Sequence, residues 1–276
     1  MVALSDVQTA VIQVTNACPF NCEQCYTKKG ETFLPVEIAE RVLDKAFRNR
    51  RGLLQITGGE PLLYPELDEL ISFCERRSIL SAIATSGYAL SRERAATLKI
   101  AGLNYLFVSL NGSKKEIHEK TRNDFACAMA AIRNAKEAGL LCMVNFVAGK
   151  SNADDLTNVI ELCKQEGASA LFLLKRHPNF SGENEEFPAP EQLRRMKEQI
   201  DSEKDLEIIV ETCFKELLPQ PMPCGAGDEF FYLDCYGKFS FCSKAVKKYD
   251  SFEEMQTKKN EWEEARTRCG GKEGVC

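Results

Sequence analysis

The chain has 276 residues, 44% of them hydrophobic and 28% charged, and carries a formal net charge of −5. That length buries one sizeable core, and the balance excludes a disordered or collagen-like chain. The charge speaks against broad nucleic-acid binding, no apolar run is long enough for a membrane span, and Met1–Asp6 lacks the pattern of a secretory signal, so a cytoplasmic protein with no membrane or nucleic-acid partner is expected.

Ala10–Thr15 reads as a short strand, and after a cysteine-bearing loop helical periodicity runs over Val36–Arg48. Strands recur at Leu53–Thr57, Leu80–Thr85, Tyr105–Leu110, Leu141–Val147 and Ala170–Leu174. Helices follow at Pro65–Arg77, Arg92–Ala101, Phe125–Ala138, Ala153–Glu166 and Pro190–Asp201, with Gly102, Gly139 and Gly167 as C-terminal stops. Repeated strand–helix order demands a parallel α/β sheet, either open and doubly wound or a complete or partial barrel. In both, ligands sit at the C-terminal ends of the strands. From about Leu206 the chain changes character: Pro219, Pro221 and Pro223 precede a Gly- and Cys-rich stretch with short strand signals at Phe230–Leu233 and Lys238–Phe241. Residues 1–205 are therefore expected to form the main domain, and 206–276 a small appended one whose limited core needs a metal staple.

Thirteen cysteines exceed what a chain in a reducing compartment needs. Cys74, Cys127, Cys142, Cys163 and Cys213 lie in apolar patterns, where free cysteine packs as a small hydrophobe. The other eight form an N-terminal group, Cys18, Cys22 and Cys25, and a tail group, Cys224, Cys235, Cys242, Cys269 and Cys276. Three thiolates can hold three irons of a [4Fe–4S] cluster and leave the fourth iron open, whereas electron-transfer clusters use four. A structural zinc loop is the alternative, although neither His118 nor His177 is close in sequence to complete it.

The loop Cys18-Pro-Phe-Asn-Cys22-Glu-Gln-Cys25-Tyr26, followed by Gly58-Gly59-Glu60-Pro61 at the end of the second strand, resembles the radical S-adenosylmethionine (SAM) superfamily. The Gly-Gly segment taken alone has a second, lesser reading as a turn before a helix led by Pro61. The resemblance implies a partial (β/α)6 TIM-like barrel over about residues 8–205. It implies that SAM chelates the open iron, and that reductive cleavage yields methionine and a 5′-deoxyadenosyl radical that takes a substrate hydrogen. By the same resemblance Gly58, Gly59 and Glu60 bind the SAM amino group, and Ser86, Ser109 and Asn111 contact its ribose or methionine part. Arg122 pairs with the SAM carboxylate or is an exposed helix charge, and Gln24 stands where the family often has an aromatic residue.

In the tail, Cys224-x12-Gly237-x4-Cys242 resembles the SPASM and twitch auxiliary-cluster domains, the glycine permitting a hairpin turn. That implies a second [4Fe–4S] cluster held by Cys224, Cys242, Cys269 and Cys276, with structural zinc as the alternative. Cys235 and Cys213 are left over as substitute ligands, catalytic hydrogen-atom donors or bystanders. Many relatives with such domains modify ribosomally made peptides by crosslinking, thioether formation or epimerisation. A peptide substrate, a separate peptide-recognition protein and a flavodoxin- or ferredoxin-type electron donor are therefore the expected partners, since only about nine residues precede the first strand. A small-molecule dehydrogenase acting on amino sugars or alcohols, and a non-catalytic iron–sulfur or zinc protein, are the alternatives. Lys175-Arg176-His177 follows the sixth strand and either lines the pocket mouth or forms a solvated loop.

Overall fold

The computed structural model describes residues 2–48, 50–177, 187–220, 222 and 224–266. In β1 (Thr9–Thr15) the two-residue period of a strand buries Ala10, Ile12 and Val14 completely and turns Thr9 and Val11 into an interior cavity. The buried face joins one core with Ala39, Leu43 and Ala46 of α1 (Val36–Phe47). The same alternation continues through β2 (Leu53–Gly58), α2 (Leu67–Arg76), β3 (Leu80–Thr85), α3 (Arg92–Ala101) and β4 (Tyr105–Ser109). A one-turn helix α4 (Lys115–His118), which the periodicity does not announce, precedes α5 (Phe125–Glu137). Then come β5 (Leu141–Ala148), α6 (Leu156–Glu166), β6 (Ala170–Lys175) and α7 (Pro190–Ser202).

The sheet runs β7-β6-β5-β4-β3-β2-β1-β8-β9, where β7 is Glu207–Val210, β8 Phe230–Leu233 and β9 Phe239–Ser240. Neighbours from β7 to β8 are parallel, and β8 with β9 is antiparallel. Strands β1 to β7 lie side by side in chain order, so right-handed crossovers put every connecting helix on one face. Accordingly α1 packs on α2, α2 on α3, α3 on α5, and α6 on α7. A doubly wound sheet requires a reversal of strand order. Its absence makes this a partial (β/α)6 barrel, and the sheet is not closed.

Residues after 206 do not stand apart from that sheet. β7 pairs with β6 and β8 pairs with β1, so the tail covers both edges that a parallel sheet would otherwise leave open. Gly237 sits at φ +76° in the β8–β9 turn, where its N–H donates to Asp234 O at 2.9 Å and the Asp234 carboxylate accepts from Tyr236 N and Lys238 N. Beneath the hairpin, Phe231, Phe239 and Phe252 pack with ring centroids 5.6–6.3 Å apart, and Phe241 stacks on Trp262 at 5.1 Å. The last two aromatic anchors, Phe252 and Trp262, come from α8 (Phe252–Thr257) and α9 (Lys259–Arg266). Aromatic burial thus supplies part of the cohesion that the sequence assigned to a metal staple. Among the described residues no helix is long and apolar enough to cross a membrane.

Candidate active site

A cavity of about 450 Å³ lies at the C-terminal ends of the barrel strands, lined there by Gly58, Gly59, Thr85, Ser86, Ser109, Asn145 and Lys175. Both groups of cysteines reach it: Cys18, Cys22 and Cys25 from the loop after β1, and Cys213, Cys224 and Cys242 from the tail. Backbone hydrogen bonds hold the first loop in place. Glu23 N donates to Thr121 O at 3.0 Å, Asn21 N to Asn123 Oδ1 at 2.9 Å, and Cys25 N to Cys22 O at 3.2 Å. The three thiols are free and part-exposed. Burial pushes the Cys18 thiol up to about 11, with Glu60 and Cys22 adding to the effect, so a bound cation is what displaces its proton at neutral pH. This donor set fits three irons of a [4Fe–4S] cluster. His118 does not turn it into a four-ligand zinc site, because Nδ1 accepts from Asn111 N at 3.1 Å and Nε2 lies 3.2 Å from Asn123 O.

Glu60 is withdrawn behind the cavity wall, fully buried. Oε1 accepts from Thr85 Oγ1 at 2.6 Å and Leu62 N at 3.1 Å, and Oε2 accepts from Ser86 N at 2.9 Å and from Ser86 Oγ. Burial pushes its pKa up against the pull of these donors. The carboxylate therefore clasps the start of the segment after β2 to the end of β3, and Ser86 presents the polar edge that faces the cavity. Asn111 is likewise a clasp: buried, it donates to Thr121 Oγ1 at 2.9 Å and accepts from Val147 N at 3.1 Å. Gln24, with its amide oriented to satisfy its neighbours, accepts from Arg122 Nε at 3.0 Å and Asn111 Nδ2 at 2.9 Å. In place of an aromatic platform, this chain thus holds Arg122 against the cavity through an amide.

The same region carries a pH-sensitive element. Burial, then the charge of Arg122, depresses His118 to about 4 from its ordinary 6.5. A depressed histidine contributes stability that is fully present above pH 6.5 and is lost as pH falls through about 4. The expected size is about 3 kcal/mol. Urea unfolding of the wild type should lose that increment on acidification across this window, whereas His118→Gln should lose markedly less; equal losses would remove His118 as the cause.

In the tail the Cys213 and Cys224 thiols are in hydrogen-bond contact, and this, followed by burial, raises the pKa of Cys213. Cys242 and Lys244 line the same cavity as Cys224, and Lys244 is paired with Glu211 at 2.9 Å. The reading of Cys213 as a core cysteine is thereby corrected: Cys74, Cys142 and Cys163 are buried in the core, but Cys213 lines the cavity. Its signal was the spacing Cys213-x10-Cys224, a further thiol ahead of the hairpin pair. Cys235 is buried and is not among the cavity-lining residues. Cys269 and Cys276 lie outside the described residues. Lys175, Arg176 and His177 form no solvated loop; all are buried, with Lys175 paired to Glu216 and Arg176 to Glu23, each at 3.0 Å.

Fold and loop together define a partial α/β barrel that brings three cysteines of one loop to the C-terminal ends of its strands. Residues 12–163 match the radical SAM superfamily, and the chain belongs to it; membership implies a [4Fe–4S] cluster and SAM. It is 28% identical over 163 residues to the Fe-coproporphyrin III synthase of Methanosarcina barkeri, covering 56% of this chain and 41% of that protein. It is 25% identical over 204 residues to the AdoMet-dependent heme synthase of the same organism, covering 71% and 58%. The chain thus spans about half the length of these curated relatives. Among solved structures it resembles Streptococcus suis SuiB bound to its precursor peptide SuiA, with a TM-score of 0.76, 18% identity, and coverage of 93% of this chain and 65% of that one. It also resembles anSMEcpe with bound AdoMet, at 0.69, 18%, 87% and 76% respectively. At these identities the structural likeness establishes the fold.

Proposed function

We propose that this radical SAM enzyme takes a hydrogen atom from a peptide substrate, in a cytoplasmic maturation reaction, and that its tail carries an auxiliary [4Fe–4S] cluster. The observation that carries this reading is the single cavity onto which both cysteine groups open. Cys18, Cys22 and Cys25 would hold the first cluster; Cys213, Cys224 and Cys242 would hold the second, with a fourth ligand. When bound, the first cluster and SAM supply reductive cleavage to the 5′-deoxyadenosyl radical. The chain's own residues bind and orient. Arg122, steadied by Gln24, suits the SAM carboxylate, and Ser86 and Ser109 offer hydroxyls at the strand ends. Asn111 and Glu60 position those groups from behind. Cys235 is given no catalytic role, because its burial away from the cavity lining keeps it from a substrate there. The peptide reading draws support from the SuiB and anSMEcpe structures, which include complexes with peptides.

The deciding experiment incubates anaerobically reconstituted protein with SAM, a flavodoxin or ferredoxin reductant and candidate precursor peptides, with and without a separate recognition protein. Peptide-dependent 5′-deoxyadenosine and a mass change in the peptide are expected. Turnover confined to a tetrapyrrole, amino sugar or alcohol would overturn the peptide assignment while leaving the radical chemistry intact.

Gly59 offers an independent check. Its N–H donates to Thr15 O at 2.7 Å, and an added Cβ would lie 2.2 Å from Ala17 O, the backbone immediately before Cys18. Gly59→Ala should push that loop aside by about an ångström and lower SAM cleavage by about 100-fold. Unchanged 5′-deoxyadenosine yield would show that the close approach is not required.

A further inference from the structure

We propose that His177 is the fourth ligand of the auxiliary cluster, through Nε2, beside Cys213, Cys224 and Cys242; this rests on the auxiliary cluster proposed above. The ligand atoms of His177, Glu211 and Cys213 all lie within 4.8 Å of one another. The Cys213 thiol is in contact with that of Cys224, and Cys242 lines the same cavity, so three thiols and the imidazole, all soft or borderline donors, open onto one space.

His177 is only 8% exposed, and its buried Nε2 has no hydrogen-bond partner among the described residues. A buried ring nitrogen of this kind calls for a partner, and with Cys213 and Glu211 beside it a bound metal supplies one. Glu211 is not the better ligand, because both its oxygens are engaged: Oε1 accepts from Lys244 Nζ at 2.9 Å and Oε2 from Lys175 N at 3.0 Å. It sits instead as an outer carboxylate, of the kind that orients inner ligands. Replacing one thiolate by neutral imidazole makes a cluster less negative and raises its reduction potential. The auxiliary cluster of this chain is then a better electron acceptor than one with four thiolates.

The test uses the full chain with Cys18→Ala, Cys22→Ala and Cys25→Ala, so that only the tail can bind iron, grown with 15N-histidine and reduced anaerobically without SAM. The chain has only two histidines, and both ring nitrogens of His118 are engaged, so a strong histidine-nitrogen hyperfine coupling in pulsed EPR reports on His177. About four irons per chain with that coupling are expected. His177→Cys should keep the irons, abolish the coupling and lower the midpoint potential, and His177→Ala should lose most of the iron. Four irons without nitrogen coupling, or iron lost only with Cys269→Ser or Cys276→Ser, would overturn the histidine ligand but not the cluster. No iron at all in the triple variant, or a single zinc in its place, would overturn both.

Discussion

Replacing Cys18, Cys22 and Cys25 together by alanine will reduce SAM cleavage by more than about 1000-fold, a loss of at least ~4 kcal/mol in transition-state stabilisation. The expectation follows from the donor set. These three thiols line the cavity from one short loop, and His118, with both ring nitrogens engaged, offers no substitute. Bound iron should fall by about four atoms per chain, and the remainder should persist, because Cys213, Cys224 and Cys242 belong to a different part of the fold. The loop itself should stay in place. Its main anchors are backbone N–H groups of Asn21, Glu23 and Cys25, and the substitution removes only the long thiol contacts from Cys22 to Asn123 Oδ1 at 3.8 Å and from Cys25 to Thr27 O at 3.6 Å. The assay is 5′-deoxyadenosine formation, with circular dichroism to verify the fold. If a folded triple variant retained a substantial part of the cleavage, the radical site would lie elsewhere.

Glu60→Ala is expected to have the largest effect on stability, about 3 kcal/mol or more, since unsatisfied buried donors cost about 1–3 kcal/mol each and entering water offsets only part of this. It strands four donors at once: the Thr85 hydroxyl, the Ser86 N–H and hydroxyl, and the Leu62 N–H. Glu60→Gln keeps one acceptor oxygen but turns an NH2 group toward donors, so an intermediate loss is expected. Because Ser86 lines the cavity and is held by Glu60, SAM binding should weaken with stability, and the Glu60→Ala/Thr85→Val double variant should show strong non-additivity with the singles. Urea denaturation gives the first quantity and SAM titration the second. A Glu60→Ala protein within about 0.5 kcal/mol of wild type would place it among ordinary surface substitutions and remove the clasp.

How much of the site could be read from the chain depended on how local each feature is. The Cys18, Cys22 and Cys25 spacing lies within eight residues, and the glycine of the hairpin lies between two cysteines. Both were legible because short segments set their own geometry. Glu60 stood out in the sequence by its Gly-Gly-Glu-Pro setting, but nothing there showed a carboxylate turned inward, since its partners Thr85 and Ser86 lie at the end of the next strand. The basic run after β6 looked as well suited to solvent as to a pocket. Its burial rests on Glu216 and on Glu23, the latter 153 residues away.

The sequence by itself determined the strand–helix alternation, the parallel character of the sheet, the resemblance to the radical SAM superfamily and the loop that carries it. All of these follow from periodicity and short spacing, which depend on neighbours along the chain. Only the tertiary structure decided that the strands stand in chain order without a reversal, that the tail pairs along both edges of the barrel sheet, and that Cys213 and His177 meet Cys224 and Cys242 at one cavity. Strand pairing and cavity lining are contacts between distant residues, set by which surfaces bury one another, and no local pattern encodes that choice.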